Sequence, residues 1–304
     1  MRVMPFACER FGQIDRRTLH AAEFEAADDD GDSHGAPLHG SVCKTITINR
    51  YNFAMKITAN IITLNEEANI AACIRSVQAV CDEVLVVDSQ STDRTCEIAE
   101  SLGARVVVQP YLGDGPQKAF GAPLATYDWI LSIDADERLA ADAVSAIEGL
   151  DLERTAFDAF SFARKTFVGR RQIRQWYPDR VTRLYHREKC GFSAARGHAR
   201  VETDNVYDLD AHLLHYSYAD FSEMIRTTHK FITRGAQLAH EAGKRAGTFD
   251  PIIHGTGALF KALILKRGFF YGPDDWHVAV ISAYSSYMKY VVMRDLQDAE
   301  NKTV

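Results

Sequence analysis

The sequence is poor in the features that most quickly identify a protein. Its six cysteines, Cys8, Cys43, Cys73, Cys81, Cys96 and Cys190, include no CxxC pair. Three of them fall inside apolar-periodic segments. That argues for reduced, partly buried thiols and against a zinc site or a disulfide frame. No apolar run reaches the roughly 20 residues of a membrane-spanning helix. The N-terminal "MRVMPFACERFG" lacks the apolar stretch of a secretory signal. Neither GxxxxGK[ST] nor GxGxxG occurs, which sets aside the usual kinase and dehydrogenase readings. Excess positive charge is also missing. A formal net charge of −6 over 304 residues gives no sign of a nucleic-acid binder. What remains is a chain that is 46% apolar, enough for one large or two small cores.

Residues 1–54 differ from the rest. "AAEFEAADDDGDSHGAPLHGS" is acidic, rich in Gly and Ala and short of aliphatic side chains, and is expected to be disordered. The change at Met55 makes that residue a candidate natural start, with 1–54 an upstream extension. From there, strand and helix patterns alternate. "ITANIITL" (57–64), "EVLVVD" (83–88), "RVVVQ" (105–109) and "WILSID" (129–134) read as apolar strands. Asn65 is placed to cap a helix with Glu66 and Glu67 in its first turn and Ile70, Ile74, Val77 and Cys81 along one face. "STDRTCEIAESLG" (91–103) reads as a helix ended by Gly, and "QKAFGAPLA" as a short helix weakened by Pro123. Apolar strands separated by helices imply an α/β fold with a mostly parallel sheet covered by helices.

Polar residues collect where each strand ends. Asn65 and Glu66 follow the first strand; Asp88, Ser89, Ser91 and Asp93 follow the second. Gly113, Asp114, Gly115 and Lys118 follow the third. The fourth runs into "DADE", with Asp134, Asp136 and Glu137. Ligands of parallel sheets bind beyond the carboxyl ends of the strands, so four polar loops on one rim predict a ligand site. Asp-x-Asp at a strand end suits a hard divalent cation, Mg²⁺ or Mn²⁺, because alternation lets two carboxylates face one ion directly or through water. Such an ion would neutralise charge on a departing phosphate. Asp93 also fits a purely structural part at the start of the second helix. Glu137 is open to two readings, as an acid supporting the ligands or as an outward-facing residue.

The ordered set "IITLNEEANI", "VLVVDSQSTDRT" and "WILSIDADERL", over about residues 57–139, resembles glycosyltransferase family 2, of the GT-A fold. "WYPDRVTRLYHRE" and "LLHYSYADFSEMIRTTHKFITRGAQLA" are similar to its lipopolysaccharide core beta-1,4-glucosyltransferase-like subset. The resemblance implies an inverting transfer from a nucleotide-diphosphate sugar, UDP-glucose foremost, onto a lipid-linked saccharide. It places Asp88 at the base, Thr63 and Glu66 around base and ribose, and Lys118 among the nucleotide contacts. Asp134 is then at ribose or donor sugar, and Asp136 at the metal. An inverting transfer needs one base for the acceptor hydroxyl. Relatives of the subset carry Val-His-Glu near "GHARVE", from which this sequence departs. Glu202 is the first candidate base, with His198 and Asp179 as alternatives.

By this reading residues 55–150 form the nucleotide-sugar half, 151–250 the acceptor half and 251–304 a C-terminal helical extension. Residues 164–200 hold eleven Lys and Arg against Asp179 and Glu188, with Trp176 and Tyr177 among them. That suits an anionic acceptor or membrane surface, or else a solvated face. "ALFKALILKRGFFYG" (258–272) reads as an interfacial or a packed helix, and "VAVISAYSSYMKYVV" (278–292) as too short to span. His212, His215 and His229 read as structural or acceptor-facing. The expected setting is the cytoplasm, peripheral on the inner face of the membrane. A sugar nucleotidyltransferase and an inactive glycan-binding scaffold are the rival readings.

Overall fold

A computed structural model describes residues 56–193 and 199–303. The expectations for residues 1–54 and for His198 lie outside the described residues.

Four strands build the parallel half: β1 (Ile57–Thr63), β2 (Glu83–Asp88), β3 (Arg105–Val108) and β4 (Trp129–Asp134). They run in the order β3-β2-β1-β4. β1, β2 and β4 are buried along nearly their whole length, as strands covered on both faces should be. α1 (Ile70–Val77) buries Ile70, Cys73, Ile74 and Val77, spaced at i, i+3, i+4 and i+7. α2 (Thr95–Ser101) and α3 (Asp114–Gly121) complete the crossovers, and a 3₁₀ turn at Ala122–Leu124 takes up Pro123.

The helix expected from Asn65 does not begin there. Asn65 adopts a left-handed backbone, φ 54°, which Asn tolerates better than most residues. Its side-chain oxygen accepts from the Thr92 N–H at 2.8 Å, while the Glu66 N–H donates to Thr95 Oγ1 at 2.8 Å. The loop after β1 is therefore tied to the loop after β2, and α1 starts five residues later. Asp93 has the structural part: it accepts from Thr95 and from the Glu67 N–H.

Beyond β4 the sheet turns mixed. β5 (Glu137–Leu139) and α4 (Ala141–Glu148) follow the acidic loop. Then come β6 (Ala159–Val168), β7 (Arg171–Gln172), β8 (Asp179–His186) and β9 (Val206–Tyr218). The path continues β4-β8-β6-β9-β5, with β7 paired to β6. Only Ala135 and Asp136 separate β4 from β5, yet β5 pairs with β9 at the far end of that path. The sheet therefore curls around the acidic loop. One apolar cluster runs from Ile57 through Trp129 to Leu213 and unites both parts.

α5 (Phe221–Glu241), capped by Asp220 on the Glu223 N–H, leads into the C-terminal helices. The single helix expected over 258–272 is divided instead. α6 (Asp250–Phe260) passes into a π-helical turn (Lys261–Leu265), breaks at Arg267 with φ 56°, and resumes as α7 (Gly268–Tyr271) and α8 (Pro273–Thr303). No helix of the described residues is long and apolar enough to cross a membrane. The whole is an α/β fold of GT-A-like, Rossmann-related form with a C-terminal helical extension.

Candidate active site

The strand order reverses between β1 and β4, the place where such sheets hold ligands. Register brings the relevant residues level: Thr63 lies opposite Asp88, and Ile62 opposite Asp134. A cavity of about 820 Å³ opens there. Thr63, Glu66, Lys118, Asp134 and Asp136 all line it. Thr63 Oγ1 is buried without a hydrogen-bond partner among the described residues. Asp88 sits deeper, 1% exposed, and accepts from the Ser91 N–H at 2.8 Å and the Ser91 hydroxyl at 2.5 Å. Its neighbour Ser89 reaches the cavity wall.

Asp134 is not a free carboxylate. Lys118 Nζ lies 2.8 Å from its Oδ1, and Arg183 donates to its Oδ2 at 2.8 Å. The same Arg183 nitrogen donates to Glu137 Oε1 at 2.7 Å. Arg164 adds a bond to Glu137 at 3.0 Å and grips Asp179 Oδ2 at 2.6 and 2.9 Å. Six alternating charges thus form one chain from Lys118 to Asp179. Glu137 is fully buried, which overturns its outward-facing reading, and its Oε2 accepts the Asp134 N–H at 3.2 Å. Glu137 therefore shapes the acidic loop from beneath. Burial by itself would raise the Asp134 carboxyl, but Lys118 and Arg183 outweigh it and hold the group well below the usual carboxylate range. Glu137 is likewise lowered, burial being outweighed by Arg183. Burial pushes the Lys118 ammonium down, with Arg183 adding to the effect.

With Asp134 neutralised, the paired-carboxylate expectation reduces to Asp136. Its Oδ2 meets His215 Nε2 at 3.1 Å, and no Lys or Arg pairs with it among the described residues. A carboxylate and an imidazole nitrogen side by side on a cavity wall form a donor set that fits a divalent cation. Glu66 stands nearby. Burial raises its carboxyl, the Asn69 bond opposes this, and the charge on Asp136 adds to the rise. Thr227 and Phe231 of α5 close one side of the cavity, with Tyr111 and Asp114 at another. The Tyr111 hydroxyl donates to Asp114 at 2.5 Å.

The candidate bases fall in different places. Glu202 is exposed and lines a second cavity of about 680 Å³, which shares Val181, Arg183 and Ala199 with the first. Asp179 lines neither cavity and is held by Arg164. Sequence reasoning missed Arg183, Arg164 and His215 as members of the acidic centre. Arg183 did leave a signal: a charge stands between Val181 and the core residues Leu184 and Tyr185, at the point where β8 bulges against β6. A separate trio, Asp128, His186 and Glu188, has the spacing to hold a metal ion. It flanks the opposite end of β4, and Arg187 already engages Asp128 at 2.9 Å.

The description "Glycosyl transferase family 2" matches residues 58–175. A glycosyltransferase of Rickettsia felis, itself uncharacterized, is 32% identical over 79% of this chain and 90% of its own length. The lipopolysaccharide core biosynthesis glycosyltransferase LpsC of Rhizobium meliloti is 30% identical over 70% of this chain and 82% of its own. A glucosyl-3-phosphoglycerate synthase of Mycobacterium tuberculosis, solved with Mn²⁺ and UDP-glucose, is 28% identical. That match covers 38% of this chain and 44% of the other, at a TM-score of 0.31. By the family match and by the identity and length over which these relatives match, the chain belongs to glycosyl transferase family 2.

Proposed function

We propose that the protein is an inverting hexosyltransferase that moves a sugar, glucose first, from UDP to the inner core of a lipopolysaccharide or a related lipid-linked glycan. It acts in the cytoplasm at the inner face of the membrane. The observation that carries the reading is the gathering of Thr63, Glu66, Lys118, Asp134 and Asp136 around one cavity at the strand-order reversal. The relationship to LpsC supports the choice of acceptor.

Asp136, with His215 beside it, would hold Mg²⁺ or Mn²⁺. Such an ion, when bound, neutralises charge on the departing diphosphate. Thr63 and Glu66 border the nucleoside end of the cavity, and Asp88 stiffens the loop that frames it. Lys118 and Arg183 fix Asp134 so that the acidic loop keeps one shape with or without donor. Preorganisation of this kind removes reorganisation from the reaction step. Glu202 takes the proton of the acceptor hydroxyl from the adjoining cavity. The acceptor oxygen bonds to the anomeric carbon from the face opposite the nucleotide, and the bond to the diphosphate oxygen breaks.

The test is a transfer assay with purified full-length protein, Mn²⁺ and a panel of UDP-sugars on core-truncated lipopolysaccharide. The reading expects one UDP-sugar to be consumed with acceptor, and turnover to stop on chelation. Consumption that needs no acceptor, or turnover that survives chelation, would refute it.

A further inference from the structure

The C-terminal helices present a surface that the reaction does not use. Between Pro251 and Pro273 the sequence contains no acid, while Lys261, Lys266 and Arg267 are all exposed. None of these three pairs with a carboxylate among the described residues. Large apolar side chains stand among them: Phe260, Ile264, Leu265, Phe269, Phe270 and Trp276, from 41% to 78% exposed. Of the two acids that follow, Asp275 is 2% exposed and accepts from the Gln175 N–H at 2.8 Å, and Asp274, still partly exposed, has its charge paired with Arg171 at 3.3 Å. The face is thus apolar and purely cationic within an acidic protein.

Its tip is rigid. The Trp276 indole N–H donates to the Phe269 carbonyl at 2.9 Å, and the two rings stack at 5.8 Å. Gly268 passes so close to the Ala262 carbonyl that a Cβ there would lie 2.7 Å from it. The break at Arg267 therefore holds Phe269 and Phe270 outward on a fixed support. Exposed aromatics beside lysines, on helices too short or too polar to span, suit the boundary between lipid headgroups and acyl chains.

We infer that the acid-free face of residues 251–273, with Trp276, is a docking surface for an anionic phospholipid bilayer, into which Phe269 and Phe270 insert. Charge complementarity chooses this occupant over an uncharged apolar partner. The face has a consequence for the site. α8 packs on α6 and on α5, and α5 supplies Thr227 and Phe231 to the donor cavity. A bilayer seated on α6 to α8 therefore bears on the helix that borders the cavity, and a lipid-linked acceptor reaches it laterally. This last consequence rests on the proposed function; docking itself does not.

The experiment is co-sedimentation of full-length protein with phosphatidylcholine vesicles, with and without phosphatidylglycerol. Wild type should sediment only with the anionic vesicles and be released by salt. Lys261→Gln with Lys266→Gln should weaken partition by about 30-fold, since each lysine near an anionic surface contributes about a factor of five. Phe269→Ser with Phe270→Ser should abolish it, with unchanged circular dichroism, since both side chains are exposed. Equal binding to both vesicle types, or none to either, overturns the inference without using a variant. Self-association through this face, lost in the Phe variant and with no vesicle binding, assigns it to a second copy and also overturns it. Calorimetric UDP binding without vesicles tests the donor site separately, so the two failures are distinguishable.

Discussion

Replacing Arg183 with methionine leaves the buried Glu137 carboxylate and the partly buried Asp134 carboxylate without their shared cation. Arg183 is 4% exposed, and one of its nitrogens serves Asp134 at 2.8 Å and Glu137 at 2.7 Å. Methionine fills similar volume, so the loss is mainly electrostatic. Lys118 still faces Asp134, and Arg164 still faces Glu137, which moderates the damage. Breaking a buried pair by removing one partner costs about 3–5 kcal/mol. For a chain of this size that is a fall in Tm of roughly 10 °C. Urea unfolding of Arg183→Met against wild type measures it. Adding Glu137→Gln removes one orphaned charge and should restore about 1–2 kcal/mol through coupling. A loss below about 1 kcal/mol, or no recovery in the double variant, would refute the argument that this guanidinium sets the acidic loop.

The same centre fixes a pH dependence. The Asp134 and Glu137 carboxyls are both lowered, so their contribution is complete above the unfolded values, about 3.9 and 4.3, and is lost as pH falls through the folded ones. The stability gap between wild type and Arg183→Met should narrow on acidification below about pH 4, and a gap that widens would contradict it. Gly121→Ala pits helix propensity against space: Ala would gain about 1 kcal/mol in a free helix, but here its Cβ would collide with Asn60 Oδ1. Asn60 is fully buried and bonded to the Lys118 carbonyl at 2.9 Å, so a net loss of about 1–3 kcal/mol is expected in thermal melts, and a gain would show that the contact relaxes freely. Glu202→Gln should lower kcat by about 10²–10⁴ with UDP affinity unchanged. If instead Asp179→Asn has that effect and Glu202→Gln does not, the base is Asp179.

The parallel half was legible because β1, β2 and β4 are almost wholly apolar and end in polar loops, a pattern that packing on both faces demands. The acidic loop was legible for the same reason: charges rarely follow a core strand without a partner. Its partners were not. Arg183 lies 49 residues from Asp134, and His215 lies 79 from Asp136. They meet only because β8 and β9 join the curled sheet, and no local period announces that. Asn65 misled for a different reason. Its capping signal is real, but bonds to Thr92 and Thr95 across two loops offer its segment more than one further helical turn. Glu137 was ambiguous because its direction depends on β5 pairing with β9 and not on its own neighbours.

In the proposed mechanism Asp136 holds the cation through which the donor diphosphate is bound. The most direct test is calorimetric titration of full-length protein with UDP, with and without Mn²⁺, beside Asp136→Ala. Wild type is expected to bind UDP only with Mn²⁺, and Asp136→Ala not at all, while the variant's melting temperature stays close to wild type. Binding of equal strength without the metal, or retained in Asp136→Ala, would contradict it.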